Sequence, residues 1–244
     1  MLQYPASPEQ QSRFDRQIAY WLLVCAAVIF GMILLGGITR LTNSGLSMVE
    51  WRPLTGWLPP FNDPEWMVVF ERYQQSPEFM QINSGMDLEG FKSIFWLEFL
   101  HRLWGRIIGV AFALPFLFFL ARGWVARGLS PKLGFMFVLG GLQGVMGWYM
   151  VKSGLVDRPD VSQYRLTAHF GLALVIIGYI EWVALGLLFS SRDDHSNNGL
   201  GLFATVLAAW AFITALSGGF VAGIDAGFAF NTFPLMDGDL IPPG

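Results

Sequence analysis

The sequence of 244 residues is strongly apolar, with 54% hydrophobic and only 14% charged residues and a mean hydropathy of +0.48. A soluble domain would carry about a quarter charged residues. With a formal net charge of -3, nothing in the sequence suggests the basic stripe that nucleic-acid binding needs. The single cysteine, Cys25, has no partner for a disulfide or a thiolate zinc site. These features predict a protein whose solvent is the lipid bilayer.

Five apolar segments are each long enough to cross a bilayer, for which ~20 residues suffice. In chain order they cover residues 18–37, 93–121, 133–151, 166–189 and 201–222. Their hydrophobicity is continuous rather than alternating, which favours helices that satisfy their own backbone in lipid. The sequence therefore predicts an all-α polytopic membrane bundle. Spans one to four form a four-helix unit, and span five begins a second, pseudo-symmetric unit.

Three regions follow from this division of the chain. Residues 1–17 precede the first span, residues 18–190 form the four-helix half, and residues 191–244 hold a linker, the fifth span and the start of a second repeat. A mild excess of basic residues at the N-terminus and after spans two and four places the N-terminus in the cytoplasm. The outer loop 38–92 is too long for a mere connection. Its tryptophans, Trp51, Trp57 and Trp66, suit a lid at the membrane surface, with an ordinary amphipathic loop as the alternative.

An internal repeat links the two ends of the sequence. Residues 36–45 resemble residues 218–227, and residues 56–60 resemble residues 238–242, with a constant offset of 182 and matching glycines and proline. Glycine and proline specify backbone geometry, so the recurrence predicts one repeated turn shape. Chance similarity between two helix exits is the alternative. If the repeat is real, a full molecule has four plus four helices, and this chain is the N-terminal part of it.

Two histidines are predicted to lie at the same depth. His101 lies about two turns into span two and His169 about one turn into span four, and both spans run inward from the outer face. A histidine pair on separate helices at one level predicts the axial ligands of a haem iron, with a structural hydrogen bond between helices as the alternative. His195 lies in a polar loop on the other side and is expected to be solvated. Glu181 lies too far from His169 for the same iron, and is either a proton-path residue or a polar contact between helices.

Glu98 lies three residues before His101 on the same helix face. A carboxylate inside a membrane is costly and usually functional. It could orient the imidazole or accept a proton near a reacting centre. A salt bridge to Arg102 is the alternative.

Four arginines surround the predicted histidine pair: Arg40 at the exit of span one, Arg102 and Arg106 on span two, and Arg165 one turn before His169. Guanidinium groups match carboxylates such as the two haem propionates. Arg40 and Arg165 lie at the outer interface and are the preferred propionate ligands. Arg106 could instead pair with a carboxylate or a backbone carbonyl, and ordinary snorkelling explains any one of the four.

In five stretches the sequence resembles the haem A synthase family: residues 36–47 (GGITRLTNSGLS), 98–106 (EFLHRLWGR), 141–148 (GLQGVMGW), 166–169 (LTAH) and 231–238 (NTFPLMDG). The resemblance implies a membrane enzyme of eight helices in two similar halves. Such an enzyme oxidises a ring methyl of haem O to a formyl group, making haem A for cytochrome c oxidase, with a bound haem b as cofactor. It also implies haem O synthase and oxidase assembly factors as partners, allows a homo-oligomer, and places the protein in a bacterial or mitochondrial inner membrane.

The resemblance also assigns roles to residues. His101 and His169 are the iron ligands of the front half, Glu98 is its catalytic glutamate, and this half holds the substrate haem. The back-half histidine pair that holds the haem b cofactor is absent from residues 1–244, so we expect this stretch alone to be inactive. The outer loop lacks the cysteine pair of some bacterial members, which indicates the proteobacterial and mitochondrial branch and excludes a thiol mechanism there.

Two other functions fit parts of the sequence. A bis-histidine membrane cytochrome would explain His101 and His169, but it needs neither Glu98 nor a tryptophan-rich lid. A haem-transfer or assembly protein would need polar residues through the membrane, where only Gln143 and Glu181 occur. The deciding question is whether a bound haem is chemically altered.

Overall fold

The computed structural model describes residues 7–52, 55–155, 161–189, 198–229, 231–232, 235 and 238–239. These residues form eight helices: α1 (Pro8–Leu41), α2 (Asp63–Gln74), α3 (Pro77–Gln81), α4 (Leu88–Ala121), α5 (Ser130–Gly154), α6 (Gln163–Leu188), α7 (Asn198–Gly223) and α8 (Ala226–Ala229). Five of them, α1, α4, α5, α6 and α7, are long and apolar enough to cross a membrane. The predicted all-helical fold with five spans is confirmed. His195 and most of the predicted linker lie outside the described residues.

Helices α1 and α4 are longer than the predicted spans. Each has 34 residues, or roughly 51 Å at 1.5 Å per residue, against a hydrocarbon core of about 30 Å. The extra length comes from capping signals outside the apolar runs. Ser7 begins α1 in a capping box with Gln10, and the Asp87 carboxylate accepts from the N–H of Gly90 to begin α4. The first turns of α4 therefore extend beyond the predicted second span, toward the outer loop.

Four spans form an antiparallel bundle. Helix α1 packs against α4 and α6, and α5 packs against α6 and, less closely, α4. The core of this bundle is a cluster of buried apolar residues that includes Ile18 and Leu22 of α1, Leu133 of α5 and Ile180 of α6. The bundle is therefore tightly packed on the side opposite the outer loop.

Helix α7 lies outside this bundle, against α6. Glycines bring the two backbones together: a Cβ at Gly223 would lie 2.6 Å from the Cα of Gln163, and one at Gly219 would lie 3.1 Å from Oγ1 of Thr167. Close approach through small residues is the usual way that helices associate in lipid. None of the residues in the apolar window of α7 is buried, so most of its surface faces away from the four-helix bundle.

The outer loop contains two helices that the sequence analysis did not identify. Asn62 caps α2 and Ser76 caps α3 through their side chains. Helix α3 packs against α2. Helix α2 packs on the first turns of α4 through an aromatic cluster of six buried residues: Trp66, Phe70, Tyr73, Phe91, Phe95 and Phe99. The loop is thus a folded lid on the outer end of α4.

Candidate functional site

The structure brings His101 and His169 together inside the outer half of the bundle. Their rings are close enough to interact electrostatically. Gly36 of α1 lies against the ring of His101, where a Cβ would be 3.0 Å from Cε1. Gly147 of α5 lies against His169 in the same way, at 3.1 Å from Cε1. Two glycines therefore let neighbouring backbones hold the two imidazoles in place, while iron binding itself stays a prediction.

Three buried polar atoms between these helices have no hydrogen-bond partner among the described residues. They are Nδ1 of His101, Nδ1 of His169 and Oε1 of Gln143. Leaving a buried polar atom unpaired costs about 1–3 kcal/mol, which makes such a cluster uncommon in a site with no ligand. The described residues contain no group of three or more His, Cys, Asp or Glu that could hold a bare metal ion. Two imidazoles with apolar surroundings fit a haem, whose iron needs only two axial ligands from the protein.

The carboxylate of Glu98 faces the outer loop. Its Oε2 accepts hydrogen bonds from Oγ of Ser47 at 2.7 Å and from the N–H of Met48 at 2.6 Å. Its Oε1 accepts from Nη2 of Arg102 in a buried ion pair. The ion pair weighed as an alternative from the sequence is therefore present. Glu98 fixes the start of the outer loop to α4.

Two arginines on α4 hold the next residues of that loop, Ser47–Arg52, which we call the strap. Arg102 donates from Nη2 to the carbonyl of Met48 and from Nη1 to the carbonyl of Glu50, both at 2.8 Å. Arg106, one turn further along α4, donates from Nη2 to the carbonyl of Arg52 at 2.8 Å. Irregular backbone at membrane depth needs such partners for its carbonyl groups. These arginines thus bind the strap, which is the backbone-carbonyl role considered for Arg106.

A cavity of about 390 Å³ lies between the strap and the end of α5. Its walls include Trp51 of the strap, Arg102 of α4, and Trp148 and Lys152 of α5. Arg102 lies 5.6 Å from the ring centroid of Trp51, and Lys152 lies 5.1 Å from that of Trp148. Apolar walls with cations on aromatic faces suit a molecule that has an apolar body and an acidic group.

The two preferred propionate ligands differ in their contacts. Arg40 donates from Nη2 to Oδ2 of Asp225 at 3.0 Å and from Nη1 to Oδ1 of Asn43 at 3.0 Å. Its buried Nε has no hydrogen-bond partner within the described part of the chain. The guanidinium carbon of Arg165 lies 4.7 Å from the ring centroid of Tyr149, and Arg165 forms no ion pair with a described residue. Arg40 therefore ties two helix exits together, while Arg165 keeps its charge available. Both remain predicted propionate ligands.

The lid contains a buried carboxyl group that sequence reasoning missed. Glu78 is 4% exposed, and its Oε2 has no hydrogen-bond partner among the described residues. Burial raises the pKa of Glu78 to about 7, the hydrogen bond with Tyr73 opposes this shift, and the charge of Glu98 adds to it. Burial also raises the pKa of Tyr73, whose hydroxyl accepts from Nδ2 of Asn83 at 2.8 Å. An acid in the first turn of a helix usually faces solvent, so the sequence carried no signal of this burial. Glu181, in contrast, lies on an exposed face of α6.

The chain is similar to several known proteins that all carry the same name. The chain is 57% identical to a Heme A synthase of Nitrosospira multiformis over 242 residues, which is 98% of this chain and 68% of that protein. It is 51% identical to a Heme A synthase of Paramagnetospirillum magneticum, covering 93% of this chain and 66% of the relative. A Heme A synthase of Nitrosomonas eutropha is 54% identical, with 93% and 65% covered. The chain thus spans about two thirds of the length of these relatives. No solved structure matches it.

A family-wide sequence model gives the same result over nearly the whole chain. The COX15-CtaA family, described as cytochrome oxidase assembly protein, matches residues 19–244. This match includes α4, α5 and α6, which carry the histidine pair and Gln143. The chain belongs to the COX15-CtaA family of cytochrome oxidase assembly proteins.

Proposed function

We propose that this protein is the front part of a haem A synthase, which oxidises a ring methyl of haem O to a formyl group. The observation that carries the proposal is the pair of His101 and His169 on two helices of the bundle, each ring held against a glycine of a neighbouring helix, in a chain whose relatives are named Heme A synthase. In the overall reaction the methyl group and one water give the formyl group, four protons and four electrons. The methyl is hydroxylated stepwise and the resulting hydrate loses water. The four electrons pass to an external electron acceptor.

The proposed roles follow from the positions of the side chains. His101 and His169 hold the iron of the substrate haem between α4 and α6. Arg165 and the remaining Nε–H of Arg40 bind propionates. The haem b cofactor belongs to the second four-helix unit, for which α7 is the first helix. Bound there, haem b supplies redox chemistry to the substrate site.

Two roles are open to Glu98. As a base or as a charge beside a developing cation, it would act on the substrate directly. Its three bonds to Ser47, Met48 and Arg102 instead support a positioning role, in which it keeps the strap bound to α4. The two roles differ in what Glu98→Gln does. A base is lost in that variant, whereas part of the hydrogen bonding to the strap is kept.

The surroundings of the site favour a synthase over a bis-histidine electron carrier. The strap and the lid cover the outer end of α4, and a cavity opens beside them. An electron carrier needs no such cover, because its haem stays in place. A protein that takes up a haem and releases an altered one needs a wall that can open.

The proposed location is a bacterial or mitochondrial inner membrane, with the N-terminus in the cytoplasm or matrix. The five long apolar helices support the membrane assignment. The mild excess of basic residues in the first turns of α1 and between α4 and α5 supports the orientation. The histidine pair then lies near the outer face. Haem O synthase, oxidase assembly factors and a second copy of the protein are the proposed partners.

The test is to purify the natural full-length protein after expression with a haem O source and to extract its haem. Mass and pyridine-adduct spectra then identify the product. Hydroxylated or formyl haem that disappears in His101→Ala and Glu98→Ala, but persists in the matched control His195→Ala, supports the synthase. Unmodified haem b alone, with His101→Ala losing only colour, would show an electron carrier instead.

A further inference from the structure

The side-chain amide of Gln143 contacts a ring nitrogen of His169. Its Nε2 lies 3.4 Å from Nε2 of His169 and donates to the backbone carbonyl of the same residue at 3.0 Å. Its Oε1 is buried and has no hydrogen-bond partner among the described residues. Gly147, one turn further along α5, allows this approach, because its missing side chain leaves room for the imidazole.

The amide and an iron would compete for the same nitrogen. A ring nitrogen that accepts a hydrogen bond uses the lone pair with which it would bind a metal. If the amide of Gln143 were flipped, Oε1 would accept from a protonated Nε2, and that nitrogen would again be unable to bind iron. In both arrangements Nε2 of His169 is occupied by Gln143. The other ring nitrogen, Nδ1, faces no hydrogen-bonding group among the described residues.

We propose that Gln143 is a positioning residue that closes Nε2 of His169 when the site is empty and is displaced when a haem iron binds that nitrogen. The inference rests on the proposed function insofar as His169 is the ligand of a substrate haem. Displacement is easy, since the hydrogen bond at 3.4 Å is long and the amide keeps a second partner in the carbonyl of His169.

The displaced amide stays next to the iron ligand and returns to it as the haem leaves. A resident cofactor gains nothing from such a competitor. A haem that must be released as product benefits from it, because the competing amide raises the dissociation rate of the haem. Gln143 thereby makes the haem site of this half exchangeable.

The experiment measures haem exchange in the natural full-length protein. Haem b is loaded as the probe, and its transfer to an excess of apomyoglobin is followed by absorbance. The fraction of the signal that His169→Ala removes belongs to this site. Gln143→Leu removes the amide at similar side-chain length, and Gln143→Asn shortens it beyond reach. We expect both to slow transfer from this site by about twofold to fivefold, the effect of one weak hydrogen bond.

Both variants must give the same result, so that a folding defect in one of them does not decide the outcome. Faster transfer, or an unchanged rate, in both Gln143→Leu and Gln143→Asn would overturn the inference, because Gln143 would then support haem binding or be neutral. If His169→Ala itself removes no low-spin haem signal, the ligand assignment of the proposed function fails instead. The matched control is Gly144→Ala, on the same turn of α5 with open space at its Cβ, which should leave transfer unchanged.

Discussion

Replacing Glu98 by alanine tests whether the strap is held from α4. The substitution removes the acceptor for Ser47 and Met48 and leaves Arg102 as a buried charge, with a side chain that is 8% exposed. Breaking a buried ion pair from one side costs about 3–5 kcal/mol. The lower end applies here, because Arg102 keeps two backbone carbonyls of the strap as acceptors. Glu98→Gln keeps a neutral acceptor and should cost about half as much.

The loss should appear as opening of the strap. Cys25 is the only cysteine and is buried, so a second cysteine placed at Leu46 is a clean reporter. Leu46 is 4% exposed and precedes the strap. About 3 kcal/mol corresponds to a factor of roughly a hundred in the open fraction. Maleimide labelling of Leu46→Cys should therefore accelerate by about that factor in Glu98→Ala, and by about tenfold in Glu98→Gln.

The matched control for this experiment is Glu89→Ala. Glu89 is an exposed acid on the same helix, paired with Lys92 and remote from the strap, and its removal should leave the labelling rate of Leu46→Cys unchanged. Equal labelling rates in Glu98→Ala and the parent protein would refute the reasoning. In that case the strap would be held by its other contacts, and Glu98 would be free for a purely chemical role.

Three further outcomes follow from the structure. Gly147→Ala forces the ring of His169 to move and should weaken haem binding by roughly tenfold in a titration with haem b. Gly144→Ala is the control and should leave the affinity unchanged. Equal haem affinities of the Gly147→Ala variant and the parent protein would contradict this prediction. Because burial raises the pKa of Glu78 from 4.5 to about 7, the folded protein holds a proton that the unfolded chain releases above pH 4.5. The contribution of Glu78 to stability is therefore fully present below pH 4.5 and is lost as the pH rises to 7. In thermal unfolding, Glu78→Gln should lack this pH-dependent loss of about 3 kcal/mol in the free energy of unfolding. An unchanged pH dependence in the variant would exclude Glu78 as its source. Asp225→Asn breaks the ion pair between Arg40 and the half-exposed Asp225, and it should lower the free energy of unfolding by at most about 1 kcal/mol in the same assay. A larger loss would mean that solvent screens this pair less than its exposure suggests.

The sequence predicted the spans because lipid imposes a single rule on them. Continuous apolar runs of sufficient length must be helical, and the depth of His101 and His169 follows from counting residues along two helices that run in the same direction. The helices of the lid obey no such rule. Helix α2 is amphipathic, and its Trp66 and Phe70 are buried by tertiary packing, mainly against α4. The start of α2 could nevertheless be predicted from the sequence, since Asn62 with Pro64 two residues later and Glu65 three residues later is a capping pattern.

The partners of the arginines could not be derived from the sequence. Helical spacing places Arg102 and Arg106 on one face of α4, next to His101. Which acceptor each one meets depends on a loop that lies some fifty residues earlier in the chain. Backbone carbonyls carry no sequence signature, because every residue has one. At Arg102 and Arg106, charges beside the predicted site therefore hold a loop in place.

The exits of α1 and α7 share a backbone shape that supports the predicted repeat. Among the described residues only two other than glycine have a positive φ, Asn43 at 51° and Asp225 at 53°, and they lie 182 positions apart. The residue before each closes the helix in the same way, since Thr42 donates its N–H to Ile38 at 3.0 Å and the equivalent bond in α7 is 3.2 Å. A left-handed residue other than glycine is uncommon, and asparagine and aspartate tolerate it best.

The repeat concerns the backbone more than the side chains that carry charge. Arg40 bonds both left-handed residues, Asn43 of its own exit and Asp225 of the other. Its counterpart at the same offset is Ala222, which can make neither bond. One arginine thus joins two similar turns from one side only, and a symmetric pair of arginines would bring two like charges to the same place. The two exits share a shape, and this asymmetry sets them in different electrostatic surroundings.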